Sequence, residues 1–521
     1  MDMGRDASTK KDGLDGAVVT ISILLISIYY YLRTFIQSRN KISAPLPPGP
    51  RGLPIVGYLP FLHTHWHQRF TELAHQYGPI YKIWLRQKLC VVLNSPSLAK
   101  EVVRDEDIVF SHRDSAIAAL TATFGGFDIA WAQYGFYWRF MRKVFVKELL
   151  SNTSLENTYC LRRDEVKKTI ETKIGKIGTV VDISETTFMM RANILTGMLW
   201  GSMIDELAAT ESIGLEFRSV ILKIIELIGK PNMSDFFPIF ASFDVQGVER
   251  ETKRLMQWVE RVFDPMLESR MKTTSREEGK QEDELKRKGK NDFMQILLEL
   301  KEQEDAPIPI KHCGGCNKHY RNHSRVGDGR AHAQPEVMKK VQQELSNIVG
   351  LDNIVEEYHL CRLHYLDAVL KEALRLHPTI PLLLPRRPSQ SSVVVGYTIP
   401  KDAIVFLNVW AMHRDPKAWN DPFEFKPERF LSDSSRWDYH GNNFQFLPFG
   451  SGRRICAGIP LAEKMVMYLV ASLLHSFIWE LPDGEELDLS EQSGLEMKKS
   501  MFLLCLIDQL RMQLWGYKSQ T

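Results

Sequence analysis

The spacing of hydrophobic and polar positions changes period several times along the chain, and each change predicts an element. Ala17 to Leu32 is an uncharged, mostly apolar run; with Arg33 snorkelling it extends to Ile36, near the ~20 residues that span a bilayer. It reads as a membrane anchor and not a cleaved signal peptide, because Arg33, Arg39 and Lys41 follow it in place of a small-residue cleavage site. Arg5, Lys10 and Lys11 precede it, so charge does not settle its orientation. Pro45-Leu46-Pro47-Pro48-Gly49-Pro50 predicts a stiff polyproline hinge. Ile80 to Leu85 and Leu89 to Leu93, separated by a short polar turn, predict a hairpin, and Asn94, Ser95 and Pro96 open a helix that ends before Phe110. Helical periodicity dominates from Ser151 to Asp292, although Lys272 to Asn291 is charged and nearly free of apolar residues, as in a surface loop. Pro378, Pro381 and Pro385 force extended chain; Val393 to Ile399 and Ile404 to Val409 predict a second hairpin, and Ile459 to Leu474 an apolar helix.

Composition narrows this picture. A chain of 521 residues, 44% hydrophobic, makes two or three average domains or one large one around a buried cofactor. Sixty-six basic against 64 acidic residues leave a charge near +2, which gives no nucleic-acid footprint. Seven scattered cysteines make no disulfide framework and fit a reducing compartment.

One cysteine stands apart. Phe449 to Gly458 reads F-G-S-G-R-R-I-C-A-G, directly before the apolar helix. Gly450, Gly452 and Gly458 let the backbone bend close to the Cys456 sulfur, Arg454 can neutralise a cofactor acid, and the helix N-terminus faces the sulfur. This is the layout of a proximal haem-thiolate site; a buried structural cysteine is the bland alternative. Glu372 and Arg375, three apart on a helix, share a face and can lock with Arg429 into a buried charge network. Trp138 and Arg142, four apart, present two donors suited to a carboxylate. An ordinary amphipathic helix with a basic rim has the same spacing.

These stretches together resemble the cytochrome P-450 family. Phe449, Gly452, Arg454, Cys456 and Gly458 match its F-x-x-G-x-R-x-C-x-G signature, Glu372 to Arg375 its E-x-x-R, and Pro427 to Phe430 its P-E-R-F, in the family's order. Trp131 to Gly135 is similar to W-A-P-Y-G of plant microsomal members, with Gln133 in the proline position, an exchange expected to loosen the loop. Lys230 to Pro238 resembles their aromatic access loop, and its Phe236, Phe237 and Phe240 are expected to be exposed and to reach a membrane surface. The C-terminal end lacks their proline-rich finish.

The resemblance implies a mainly α fold with small β-sheets, preceded by one N-terminal transmembrane helix. Residues 1–40 would be anchor and flank, 41–52 the hinge and 53–521 the catalytic domain. Protohaem (haem b) would be ligated by Cys456, with propionates held by Arg113, Trp138, Arg142, Arg386 and Arg454. Electrons would come from an NADPH–cytochrome P-450 reductase and, with O2, oxygen would enter a C–H bond of a small apolar terpenoid or phenolic compound. The body would lie on the cytosolic side of the endoplasmic reticulum membrane.

The family's oxygen-activation helix is missing. Between Leu300 and Pro335, where it belongs, residues 306–334 carry two prolines, four glycines and hardly an apolar face. His312, Cys313, Cys316, His319 and His323 have the spacing of a small zinc knuckle, though the Cys and His pairs lie too close for a standard finger. The other reading is a shift of frame. With one permitted codon per residue and a start one nucleotide later, Cys313 to Gln334 reads V-V-G-A-T-N-T-T-G-T-T-V-E-W-A-M-A-E-L-M-H-N and leads into Pro335 in the normal frame. That string contains G-A-T-N-T-T, which resembles the family's oxygen motif except that Lys318 allows only Asn or Ser where the acid usually stands, and its 22 residues would run about 33 Å as a helix. Two functional alternatives follow from the missing helix: a non-catalytic product, or an isomerase or dehydratase that needs no oxygen activation.

Overall fold

The structure is a computed structural model. It describes residues 44–302 apart from 63–64, 175–176, 202–210 and 278–292, residues 335–480 apart from 433–436, the strand 510–514, and Leu25, Ile28 and Tyr29. The expected anchor otherwise lies outside the described residues, as do the knuckle and frame-shift stretch. Leu25, Ile28 and Tyr29 are exposed on a helix. Among the described residues no helix is long and apolar enough to cross a membrane.

The strands in chain order are β1 (Ile80–Leu85), β2 (Lys88–Leu93), β3 (His112–Arg113), β4 (Val180–Val181), β5 (Arg386–Arg387), β6 (Ser392–Val394), β7 (Tyr397–Ile399), β8 (Ile404–Leu407), β9 (Phe477–Glu480) and β10 (Leu510–Leu514). They form a sheet ordered β1-β2-β8-β5-β3, a sheet β4-β10-β9 and the hairpin β6-β7. The first expected hairpin is present, with register from Ile80↔Leu93 to Leu85↔Lys88.

The second hairpin is placed differently. Its arms are β6 and β7, joined through Val395 and Gly396, both at positive φ. Ile404 to Leu407 leaves that pair to run parallel to β2, with Cys90 facing Ile404 and Leu93 facing Leu407. All four of its residues are buried, so it belongs in a sheet interior with both faces covered. Val91, Leu93, Val405 and Leu407 enter one apolar cluster, while Cys90, Val92, Ile404 and Phe406 enter another. This is the period of two expected of a pleated sheet.

The longer helices are α1 (Trp66–Tyr77), α2 (Phe136–Val144), α3 (Tyr159–Ile174), α4 (Ile183–Trp200), α5 (Glu211–Gly229), α6 (Val248–Glu277), α7 (Phe293–Glu302), α8 (Pro335–Val349), α9 (His364–Leu376) and α10 (Ile459–Ser476). Their main core joins Ile194, Phe217, Phe263, Leu297, Val341, Leu366 and Leu469. α10 is apolar around most of its circumference and buried along most of its length, so other helices pack around it. The fold is mainly helical with small sheets, as expected.

Two peripheral stretches shape the molecule's edge. The proline-rich stretch is extended and tied down: Thr398 donates its N–H to the Pro45 carbonyl at 2.8 Å, and Lys82 donates its N–H to that of Pro48 at 2.7 Å. The aromatic access loop departs from expectation. Phe237 is buried, with the Arg86 guanidinium 4.6 Å from its ring centre, and Phe236 is only half-exposed. Among the described side chains here Met233, Ile239 and Phe243 are exposed, while Arg86 also donates to the Phe236 carbonyl and holds that turn against the β1–β2 corner; the Phe240 side chain lies outside the described residues.

Candidate active site

The loop that carries Cys456 is shaped by backbone contacts at its glycines. Gly450 and Gly452 sit at φ +73° and +69°, and a Cβ on Gly452 would collide with the Val103 carbonyl oxygen. The Cys456 N–H donates to the Phe449 carbonyl at 3.0 Å, which closes the loop. The Gly458 N–H points at the sulfur, 3.3 Å away, directly before α10 begins at Ile459. Burial pushes the Cys456 thiol up to about 11, opposed by the Gly458 N–H and the Arg142 charge. In the protein chain alone the burial therefore favours the protonated thiol at neutral pH.

Cys456 opens onto a cavity lined also by Arg113, Arg142, Arg386, Arg454, Phe449 and Gly458, with Ile380, Leu383 and Leu384 as apolar wall. Its empty space is about 880 Å³, part of it open to solvent. The sheet explains how the arginines meet. β3 and β5 are antiparallel and Arg113 is the direct cross-strand partner of Arg386. Like charges placed opposite each other destabilise a strand pair.

Arg113 donates to the carbonyls of Ala130 at 3.1 Å and Leu384 at 2.8 Å, and Arg454 to those of Ser111 at 2.7 Å and Ala132 at 2.6 Å. Arg386 donates to the Ser451 carbonyl at 3.1 Å, while its buried Nε has no hydrogen-bond partner. Burial, then mutual repulsion, lowers Arg454 to about 9; burial, opposed by Asp107, lowers Arg386 to about 10. Both stay cationic at neutral pH. Asp107 and Asp128 are the carboxylates whose charge acts on this group, and Asp107 is shared with Arg453, so the cavity keeps an excess of positive charge.

Trp138 meets the cluster through its ring. Its indole N–H is donated to the Ile129 carbonyl at 2.8 Å, and the Arg454 and Arg142 guanidiniums lie 4.3 and 5.5 Å from its ring centre. Gln133 tightens the loop instead of loosening it. Its side-chain oxygen accepts the Arg113 N–H at 3.3 Å and its amide donates to the Arg113 carbonyl at 3.0 Å, so it completes the outer edge of β3 as another strand would.

The expected charge network is present behind the loop. Glu372 is wholly buried; its carboxylate accepts from Arg375 Nε at 2.7 Å, Arg375 Nη2 at 2.9 Å, the Lys426 N–H at 2.8 Å and Arg429 Nε at 3.2 Å. Sequence reasoning missed the link from this network to the cysteine loop. His413 Nδ1 donates to the Arg375 carbonyl at 3.2 Å, and its Nε2 accepts the Leu447 N–H at 2.8 Å, two residues before Phe449. No spacing signal could have found it, because its partners lie 38 and 34 residues away.

Burial and the neighbouring Arg375 and Arg414 charges lower His413 to about 3, from 6.5 in an open chain. Between these values the unfolded chain binds the extra proton, so His413 contributes stability that is complete above about pH 6.5 and is lost as pH falls toward 3. Urea midpoints measured from pH 7 to 4 should therefore fall less steeply in His413→Gln than in the wild type. Parallel slopes would remove His413 as the cause.

The family model described as "Cytochrome P450" matches residues 47–312 and 332–506. The chain is 35% identical to a probable (S)-N-methylcoclaurine 3'-hydroxylase isozyme 2 of Coptis japonica, over 94% of this chain and 98% of that protein. It is 33% identical to a ferruginol synthase of Salvia fruticosa over 91% and 95%, and 34% identical to a flavonoid 3'-monooxygenase of Crocosmia x crocosmiiflora over 93% and 96%. Among solved structures, a zebra fish cytochrome P450 with abiraterone superposes with a TM-score of 0.68 at 21% identity, covering 86% of this chain and all of that one.

Proposed function

The chain belongs to the cytochrome P450 family and is a haem-thiolate monooxygenase, and from that premise we propose that it hydroxylates a small apolar plant secondary metabolite, terpenoid or phenolic, with electrons from an NADPH-dependent reductase. One observation carries the site: Arg113 and Arg386 face each other across a strand pair in the cavity that holds Cys456. The residues fit haem. The excess of positive charge suits the anionic propionates, and the Arg386 Nε is a buried donor left over for one of them.

Haem held by a thiolate supplies oxygen activation and insertion into a C–H bond. The chain's residues do the rest. Cys456 would hold the haem iron through its sulfur, whose negative charge the Gly458 N–H and the α10 N-terminus would stabilise. Arg113, Arg142, Arg386 and Arg454 would hold the propionates, with Trp138 backing Arg454 and Phe449 closing the loop. Ile380, Leu383 and Leu384 offer an apolar wall that favours an apolar substrate and excludes water.

The names of the relatives support the substrate class, since they include an (S)-N-methylcoclaurine 3'-hydroxylase, a ferruginol synthase and a flavonoid 3'-monooxygenase. Attachment to the endoplasmic reticulum membrane, with the body in the cytosol, is supported by the apolar run 17–36. It is supported also by exposed Leu53, Ile55, Ile239 and Phe243, on stretches that meet at the β1–β2 corner through Arg86. The reading of Cys313 to Gln334 as out of frame is supported by the break in the family match between residues 312 and 332.

One experiment tests both readings: genomic and transcript sequencing across codons 305–340, followed by expression of the confirmed chain with a plant reductase. The expected result is a single-base indel or misplaced junction and, once corrected, NADPH-dependent O2 uptake with a product heavier by one oxygen. An intact frame that matches this chain in every related transcript sinks the shift. Haem binding without O2 uptake on any terpenoid or phenolic favours the isomerase or dehydratase reading.

A further inference from the structure

Asp107 lies 349 positions before Cys456, yet its carboxylate meets the turn that leads to it. The chain from Gly452 to Arg454 is a single 3-10 turn whose own N-cap residue, Ser451, gives it no side-chain cap. The first amide hydrogens of such a turn have no partner within it. Asp107 supplies one: its Oδ2 accepts the Arg453 N–H at 3.0 Å and lies 3.3 Å from Arg453 Nε. The Ser111 hydroxyl donates to the Asp107 main-chain carbonyl at 2.6 Å and lies 3.3 Å from Oδ1, which is 3.9 Å from Arg386 Nη1. Ser111 in turn offers its carbonyl to Arg454 Nε at 2.7 Å. The Asp107 side chain is only 13% exposed, and Gly452 packs so close that a Cβ there would come 3.0 Å from Oδ1.

We propose that Asp107 is a positioning residue for the axial loop, holding the Gly452–Arg454 turn against the residues before β3 so that Cys456 and Arg454 are both aimed into the cavity. Two loop features depend on this one carboxylate, and a third on the main chain of the same residue. The turn's free amide is satisfied and Arg386 has a counter-charge beside it, while Ser111, which offers its carbonyl to Arg454, is held by the Asp107 carbonyl. The proposal rests on Cys456 as the haem ligand only for its spectroscopic arm, since the hydrogen bonds it invokes exist in the protein chain alone.

The test uses the full-length chain as wild type, Asp107→Ala and Asp107→Asn, first haem-free. Amide hydrogen exchange is read for peptides covering 450–458 and, as reference, α9. Losing a charge-assisted hydrogen bond should speed exchange in 450–458 about tenfold or more in the alanine variant, with α9 unchanged. Asparagine, which keeps an acceptor oxygen, should recover most of the protection. In the haem-loaded protein the alanine variant should show a smaller thiolate-ligated fraction in the reduced carbon-monoxide spectrum, and asparagine a larger one than alanine. Unchanged exchange in 450–458, or an equal rise in α9, would overturn the proposal. A loop effect without a spectral effect would overturn the claim that Asp107 aims Cys456, while the ligand assignment itself stands or falls on the Cys456→Ala spectrum.

Discussion

Cys456→Ala is expected to abolish the carbon-monoxide-shifted thiolate spectrum entirely in protein loaded with haem. Among the described cysteines no substitute is at hand: Cys90 is fully buried in the main sheet, and neither Cys160 nor Cys361 lines the arginine cavity. The loop should survive the change, because the bond from the residue 456 N–H to the Phe449 carbonyl and the positive φ of Gly450 and Gly452 do not involve the sulfur. The loss should therefore appear with little change in far-ultraviolet circular dichroism. A mutant that keeps the thiolate spectrum removes Cys456 from the axial position.

Glu372→Ala should cost folding and haem retention, not substrate affinity. Four donors converge on one carboxylate that solvent does not reach, and Arg375, itself wholly buried, would be left with carbonyl oxygens alone for partners. Removing one member of a buried ion pair costs about 3–5 kcal/mol, because the remaining charge stays buried without compensation. Denaturant titration with parallel haem-loss kinetics measures both effects. A folded, haem-loaded mutant whose only defect is a raised KM would show that the network does not support the site.

Local chemistry made part of this site legible in the sequence. The cysteine loop and the Glu372–Arg375 pair announce themselves because their members are close in the chain, within one turn or one helix face. The hairpin of β1 and β2 was legible for the same reason. β8 was misassigned because a run buried on both faces looks like the arm of a local hairpin until its distant partner, β2, is known. Gln133, Asp107 and His413 were invisible as site residues. Each acts on backbone groups that only the folded sheet brings near, so neither residue type nor spacing marks them.

The same long reach has a consequence for how the molecule is made. Arg454 and the Ser111 carbonyl that orients it are 343 residues apart, and Asp107 and the amide it caps are 346 apart. At a synthesis rate of about 5–20 residues per second, the early half of the site waits roughly 20–70 s on the ribosome for the late half. During that wait β2 and β3 have one edge each without its final strand, which is a template for mispairing. Long-range pairings of this kind are slow to close because loop entropy is spent before contacts form. The cofactor pocket is thus among the last parts of the nascent chain to assemble, and its yield in a cell is set as much by what shields those edges in the interval as by the stability of the finished protein.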